Sequence, residues 1–216
     1  MIDRGFSRAL CVGAIVTLLA GCGGSHEAPG SVFPAQGYRN RTGSYGYCPQ
    51  VAGGTGILPD GDFSQALNPG NHNLTLGKRT VFASGWKVSK GNIDFNGTTY
   101  WNMDGLCSVD LDGYLTVGGI KSSGFRAKRG TYTLTFVMSG NGHCGTPLKI
   151  MQISIDKQFT TMTWNTSSGN DVQDGVYATE QWTFRAKPFS ILTLTSQDPK
   201  GTGCGIVIAG LSIKKS

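Results

Sequence analysis

Thr131-Tyr132-Thr133-Leu134-Thr135-Phe136-Val137-Met138 alternates threonine with large apolar residues until its last step. A strand repeats every two residues, so Tyr132, Leu134, Phe136 and Met138 fall on one face. β-Branched and aromatic side chains suit a pleated, half-buried surface. The same period recurs downstream. Lys149–Ile155 puts Met151, Ile153 and Ile155 together, and Trp182, Phe184 and Ala186 share a face. Ser190–Thr195 and Ile206–Ile213 close the series. Trp86, alternating with Val88, reads as core, as does Trp182. Ser139-Gly140-Asn141-Gly142, Ser168-Gly169-Asn170-Asp171 and Asp198-Pro199-Lys200-Gly201 supply turn chemistry between the runs. No stretch carries a convincing helical period, and 33 glycines favour loops over helices. Many short strands separated by polar turns predict an all-β sandwich or barrel.

Working outward, residues 57–216 are long enough for one domain with a sizeable core. Residues 22–56 are rich in Gly, Ser, Pro, Tyr and Asn with no sustained apolar period, the composition of a flexible stem. Residues 1–21 have the form of a lipoprotein signal peptide. Arg4 and Arg8 supply its positive end, and an apolar run from Ala9 to Ala20 is too short to span a bilayer. The run ends Leu18-Leu19-Ala20-Gly21-Cys22. Small residues before a cysteine suit the narrow site of a lipoprotein signal peptidase, and the Cys22 thiol would carry diacylglycerol as a thioether. Acylation of the new N-terminus would add the second anchor that stable membrane attachment needs. Gly23, not Asp, follows the cysteine. In a cell with two membranes that pattern implies the outer one. The expected location is therefore the bacterial envelope, with a lipid-anchored membrane partner.

The chain has 19 basic and 13 acidic residues; removing Arg4, Arg8 and Asp3 with the signal leaves 17 and 12, or +5. The basic residues are scattered, with only short pairs such as Lys78-Arg79, Lys128-Arg129 and Lys214-Lys215. Nucleic acid would want a clustered stripe, so no nucleic-acid partner is expected. A weak attraction to acidic polysaccharide or anionic headgroups fits the balance. Cys48, Cys107, Cys144 and Cys204 remain after Cys11 leaves and Cys22 is lipidated. An even count in an exported domain predicts disulfides, in any of three connectivities. No Cys-x-x-Cys spacing or paired histidine suggests a metal, and no cofactor fingerprint is present.

The chain resembles a known family at Gly91-Asn92-Ile93-Asp94-Phe95, Tyr100-Trp101, Asp104-Gly105 and Ser108-Val109-Asp110-Leu111-Asp112-Gly113. The likeness continues through Gly118-Gly119-Ile120, Gly130–Phe136 and Ser139-Gly140-Asn141 to Cys204-Gly205-Ile206-Val207-Ile208. These segments are similar to bacterial choice-of-anchor C proteins and to a related domain-of-unknown-function family of plant cell-wall proteins. The resemblance implies an antiparallel jelly-roll sandwich of the galactose-binding-like kind and attachment to envelope or wall polysaccharide. It implies a Cys144–Cys204 disulfide, and the preferred set adds Cys48–Cys107. Two departures matter: the family's early Glu is replaced in Asp60-Gly61-Asp62-Phe63-Ser64, and its late Asp by Ala209. Calcium depends on such carboxylates, so the structural calcium site common to these modules is expected to be lost.

Sugars are held by aromatic faces stacking on C–H surfaces and by polar side chains that replace water at hydroxyls. Tyr100, Trp101, Asn102 and Asp104 have that composition in a turn-rich stretch. Trp164 with Asn165, and Tyr177, are further carbohydrate-binding candidates. Asp110 and Asp112 lie two apart, a spacing a glycosidase could use. They read instead as an exposed polar strand edge leading into the Asp112-Gly113 turn. No Gly-x-Ser-x-Gly elbow or Walker loop is present. The sequence thus points to a non-catalytic carbohydrate-binding module on the envelope. The alternatives are an adhesive lipoprotein that grips another protein, and, more distantly, a glycan-active hydrolase.

Overall fold

The computed structural model describes residues 46–114, 116–167, 169–199 and 203–216. Cys22, the signal segment and residues 22–45 of the stem lie outside the described residues. Among the described residues fourteen strands, numbered in chain order, form two six-stranded antiparallel sheets and a small ribbon. The first sheet runs β1 (Asn73–Gly77), β4 (Asn92–Asn96), β5 (Ser108–Asp110), β14 (Ile206–Lys215), β8 (Gly130–Gly140), β11 (Ala178–Ala186). The second runs β10 (Gln158–Asn165), β9 (Leu148–Ile155), β13 (Leu192–Ser196), β6 (Gly119–Ser122), β3 (Trp86–Lys90), β2 (Val81–Ala83). β7 (Phe125–Arg126) pairs with β12 (Phe189–Ser190) at one end. The chain crosses repeatedly from one sheet to the other, as an antiparallel jelly-roll sandwich requires.

The alternation read from the sequence sets the inner faces. Tyr132, Leu134, Phe136 and Met138 of β8 are buried, facing a layer that includes Met151, Ile153 and Ile155 of β9. Trp182, Phe184 and Ala186 line β11 with the alternating burial expected, though Trp182 stays half-buried. Trp86 is buried, its indole N–H donating to the Pro59 carbonyl at 3.1 Å. Phe63 meets Trp86 edge-on at 5.5 Å and Phe95 edge-on at 6.1 Å, the geometry aromatic quadrupoles favour.

Both expected disulfides form, Cys48–Cys107 and Cys144–Cys204. The first ties the segment ahead of residue 56 to the sandwich, and backbone hydrogen bonds reach it from Gly46 onward. Cys48 is buried, and its N–H donates to the Ala66 carbonyl at 3.0 Å. Val51 N–H donates to Asp62 Oδ2 at 2.9 Å, and the side chain lies against an apolar cluster. These ties are one disulfide and isolated backbone bonds, which leave no apolar period in the sequence. Farther on, the pairing of β14 with β8 shifts register between Ala209 and Ser212, where Gly210 has φ +58°. A bulge of this kind turns backbone groups away from the ladder. Here Leu211 N–H reaches Gly61 O and Ile213 N–H reaches Thr55 O, both at 3.0 Å.

Candidate functional site

The outer face of the first sheet is not bare. Val137 of β8 and Val207 and Ala209 of β14 point away from the main core. They are covered by Met103, Leu106 and Val172 from two loops, forming a second apolar cluster. Trp101 is half-buried against it. The 101–106 loop is shaped by a tight turn in which Asp104 and Gly105 have φ of +57° and +74°. Asn102 Oδ1 accepts from Gly105 N–H at 2.9 Å, which fixes the turn and leaves the Asn102 amide group outside it. The 171–177 loop is tied down by Val172 N–H to Gly140 O at 3.0 Å and by the Ser139 hydroxyl to Val176 O at 2.6 Å.

The two loops meet where Tyr177 Oη donates to Asp104 Oδ1 at 3.4 Å. The Tyr100 and Trp101 rings lie 5.0 Å apart and tilted by 46°. Tyr100 and Tyr177 remain 39% and 38% exposed. The structure therefore brings Tyr100, Trp101, Asn102, Asp104 and Tyr177 into one surface. Behind them stand residues from neighbouring strands that sequence reasoning missed. Asp94 lies opposite Asp110 across β4 and β5, and its Oδ1 accepts the Thr75 hydroxyl at 2.6 Å. Burial pushes the Tyr100 phenol up, and the Asp94 and Asp110 carboxylates push it further. The alternation in Asn92-Ile93-Asp94-Phe95 was a signal that Asp94 faces outward, but its partner Asp110 is far along the chain.

Trp164 and Asn165 do not join that surface. Trp164 packs against the main core, on the other side of the sheet from the Trp101 cluster. Its indole N–H donates to Asn170 O at 2.8 Å, and Asn165 O accepts the Asn170 amide at 2.7 Å. Both residues are engaged in closing their own loop.

Asp110 and Asp112 correct the sequence reading outright: both are fully buried. Asp110 Oδ1 accepts the N–H groups of Asp112 and Gly205 at 2.9 Å each, and Oδ2 accepts the Asn141 amide at 2.9 Å. Burial holds its carboxyl well above the usual range despite these donors. Asp110 thus ties β5 to Asp112, Gly205 and Asn141 through three hydrogen bonds. Lys149 is equally buried, its ammonium donating to the Cys144 carbonyl at 2.6 Å. Asp198, also buried, accepts Ile150 N–H at 2.5 Å.

The residues at the expected calcium position do not fit the ion. Ala209 is buried among apolar side chains. The Asp60 and Asp62 carboxylates receive N–H groups of Gln65, Ser84, Val51 and Ser64, so protons rather than lone pairs face them. Among the described residues no group of three or more His, Cys, Asp or Glu side chains could hold a metal.

Residues 56–214 match the model of a family described as protein of unknown function (DUF642). No curated protein matches. Among solved structures, a family 35 carbohydrate-binding module from Clostridium thermocellum is similar with TM-score 0.44 and 15% identity. The match covers 67% of this chain and 99% of that one. CBM35 from Cellvibrio japonicus Abf62 gives TM-score 0.39 and 16% identity over 67% of this chain and 98% of that one.

Proposed function

The chain belongs to the DUF642 family, and from that premise we propose that it is a non-catalytic carbohydrate-binding protein of the bacterial envelope, held there by lipid on Cys22. The observation that carries this reading is the Tyr100–Trp101 ring pair, 5.0 Å apart, beside the Tyr177–Asp104 contact. Two partly open aromatic faces offer a platform for the C–H surface of a sugar. The amide of Asn102, the carboxylate of Asp104 and the phenol of Tyr177 supply donors and acceptors at its edge. Sites of this class combine aromatic surface with a few placed polar groups. The aromatic loop is braced by the second apolar cluster, so little ordering is left for binding to complete. The absence of catalysis rests on the burial and full hydrogen bonding of Asp110, the carboxylate a glycosidase reading would need.

The test is retention of the purified chain, in neutral detergent, on a panel of immobilised neutral polysaccharides. Trp101→Ala should lower retention about tenfold, the loss of roughly 1.4 kcal/mol. Because Trp101 also packs on the second apolar cluster, retention is compared below the melting temperature of both chains, per folded molecule. Failure of every polysaccharide to retain the parent chain overturns the reading.

A further inference from the structure

The pairing of β8 with β11 places Gly130 opposite Ala186 and Thr131 opposite Arg185. Basic residues far apart in the sequence meet at this seam. A cleft of about 600 Å³ opens there, lined by Arg129, Arg185, Lys187, Thr131, Gln158 and Pro188 among others. No carboxylate lines it. Lys215 borders it, since its Cε lies 3.5 Å from where a Cβ on Gly130 would be. Asp156, two residues before Gln158, accepts the Ser190 hydroxyl at 3.0 Å.

The floor of the cleft is fixed by one side-chain amide. Gln158 Nε2 donates to Arg185 O at 2.7 Å, and Arg185 N–H donates to Gln158 Oε1 at 2.9 Å. The amide imitates a neighbouring strand. It joins β10, at the edge of one sheet, to β11, at the edge of the other. Arg185 is thereby held at both backbone groups, which fixes where its side chain leaves the strand.

Arg129, Arg185 and Lys187 contribute to a mostly apolar lining that holds no acid, which suits an anionic chain with C–H faces between its charges. Guanidinium forks match carboxylates in bidentate geometry. Ala186 and Pro188 add apolar wall for the C–H faces between the charges. We propose that this cleft binds a carboxylate-bearing polysaccharide, at a second site distinct from the Trp101 surface. Tyr177 and Arg185 mark opposite ends of β11, so at the usual strand rise the sites are about 26 Å apart. The choice of a sugar polymer rests on the proposed function, but the cleft is a separate surface.

The test uses the full chain in neutral detergent and alginate as the probe, with propylene-glycol-esterified alginate as the uncharged match. Alginate should bind, and binding should weaken with salt. The triple variant Arg129→Gln, Arg185→Gln, Lys187→Gln should lower affinity about tenfold or more, while Lys78→Gln, Lys87→Gln, Lys121→Gln, equal in charge, should lower it less than about twofold. Equal loss in both triples would mean bulk charge alone and would overturn the proposal. Equal binding of the ester would overturn it too, as would tighter, cleft-dependent binding to phosphatidylglycerol vesicles. Trp101→Ala should leave alginate affinity unchanged. Loss in Trp101→Ala with the cleft triple still binding would assign alginate to the aromatic surface, removing this proposal while the proposed function stands. Loss of neutral-glycan retention alone would do the reverse.

Discussion

Lys149 Nζ donates to the carbonyl of Cys144 at 2.6 Å, inside a cluster that also holds Asp110, Asp112 and Asp198. Burial lowers the Lys149 ammonium from its ordinary range, and Asp198, Asp110 and Asp112 act to restore it. Lys149 thus brings a positive charge into an acidic pocket beside the Cys144–Cys204 bridge. Removing one member of such a buried set leaves the others uncompensated, which costs about 3–5 kcal/mol. Lys149→Met is expected to destabilise the domain by that order, read as the denaturant midpoint by intrinsic fluorescence.

Asp198 makes the same cluster pH-sensitive. Burial raises its carboxyl to about 6; Ile150 N–H opposes the rise and Asp112 adds to it. An unfolded aspartate titrates near 3.9, so the folded state holds this proton more tightly. Its stabilising contribution is complete below about pH 4 and is lost as pH rises through about 6. Asp60, Asp94 and Asp110 are raised as well and act with the same sign. The melting temperature should therefore fall between pH 4 and pH 7, and Asp198→Asn should flatten that slope. A slope unchanged in Asp198→Asn would mean that another group titrates there.

The Cys48–Cys107 bridge closes 59 residues of sequence separation. By the chain-entropy relation a loop of that size contributes about 4 kcal/mol. The double variant Cys48→Ala, Cys107→Ala should lose stability of that order. Residues 46–56 should then become the first segment cut in limited proteolysis, mapped by mass spectrometry.

Two tryptophans should separate binding from packing. Trp164 lies so close to β8 that a Cβ on Gly140 would meet its Cδ1 at 2.7 Å. Trp164→Ala is expected to lower the melting temperature and leave per-molecule glycan affinity unchanged. Trp101→Ala should lower per-molecule glycan affinity, beyond whatever packing it loses against the second apolar cluster.

Calcium should do nothing to this domain. Titration of the chelator-treated chain with calcium is expected to give no binding heat at micromolar affinity and no rise in melting temperature. A saturable heat would contradict the assignment of the Asp60 and Asp62 carboxylates to backbone N–H groups.

The sequence by itself determined the strands and their faces. The two-residue period of Tyr132, Leu134, Phe136 and Met138 is a local property, and burial follows it residue by residue. The aromatic loop at Tyr100–Asp104 was also legible, because its composition is local. Only the tertiary structure decided what depends on register between distant strands. It buried Asp110 by supplying donors from Asn141 and Gly205. It drew residues 46–56 onto the sandwich through Cys48, where no apolar period announced them. It separated Trp164 from Trp101 by the thickness of a sheet. It also set Arg185 beside Arg129, because β8 and β11 pair with Thr131 opposite Arg185. Charges that are scattered along a chain become a surface only when strand pairing chooses their neighbours.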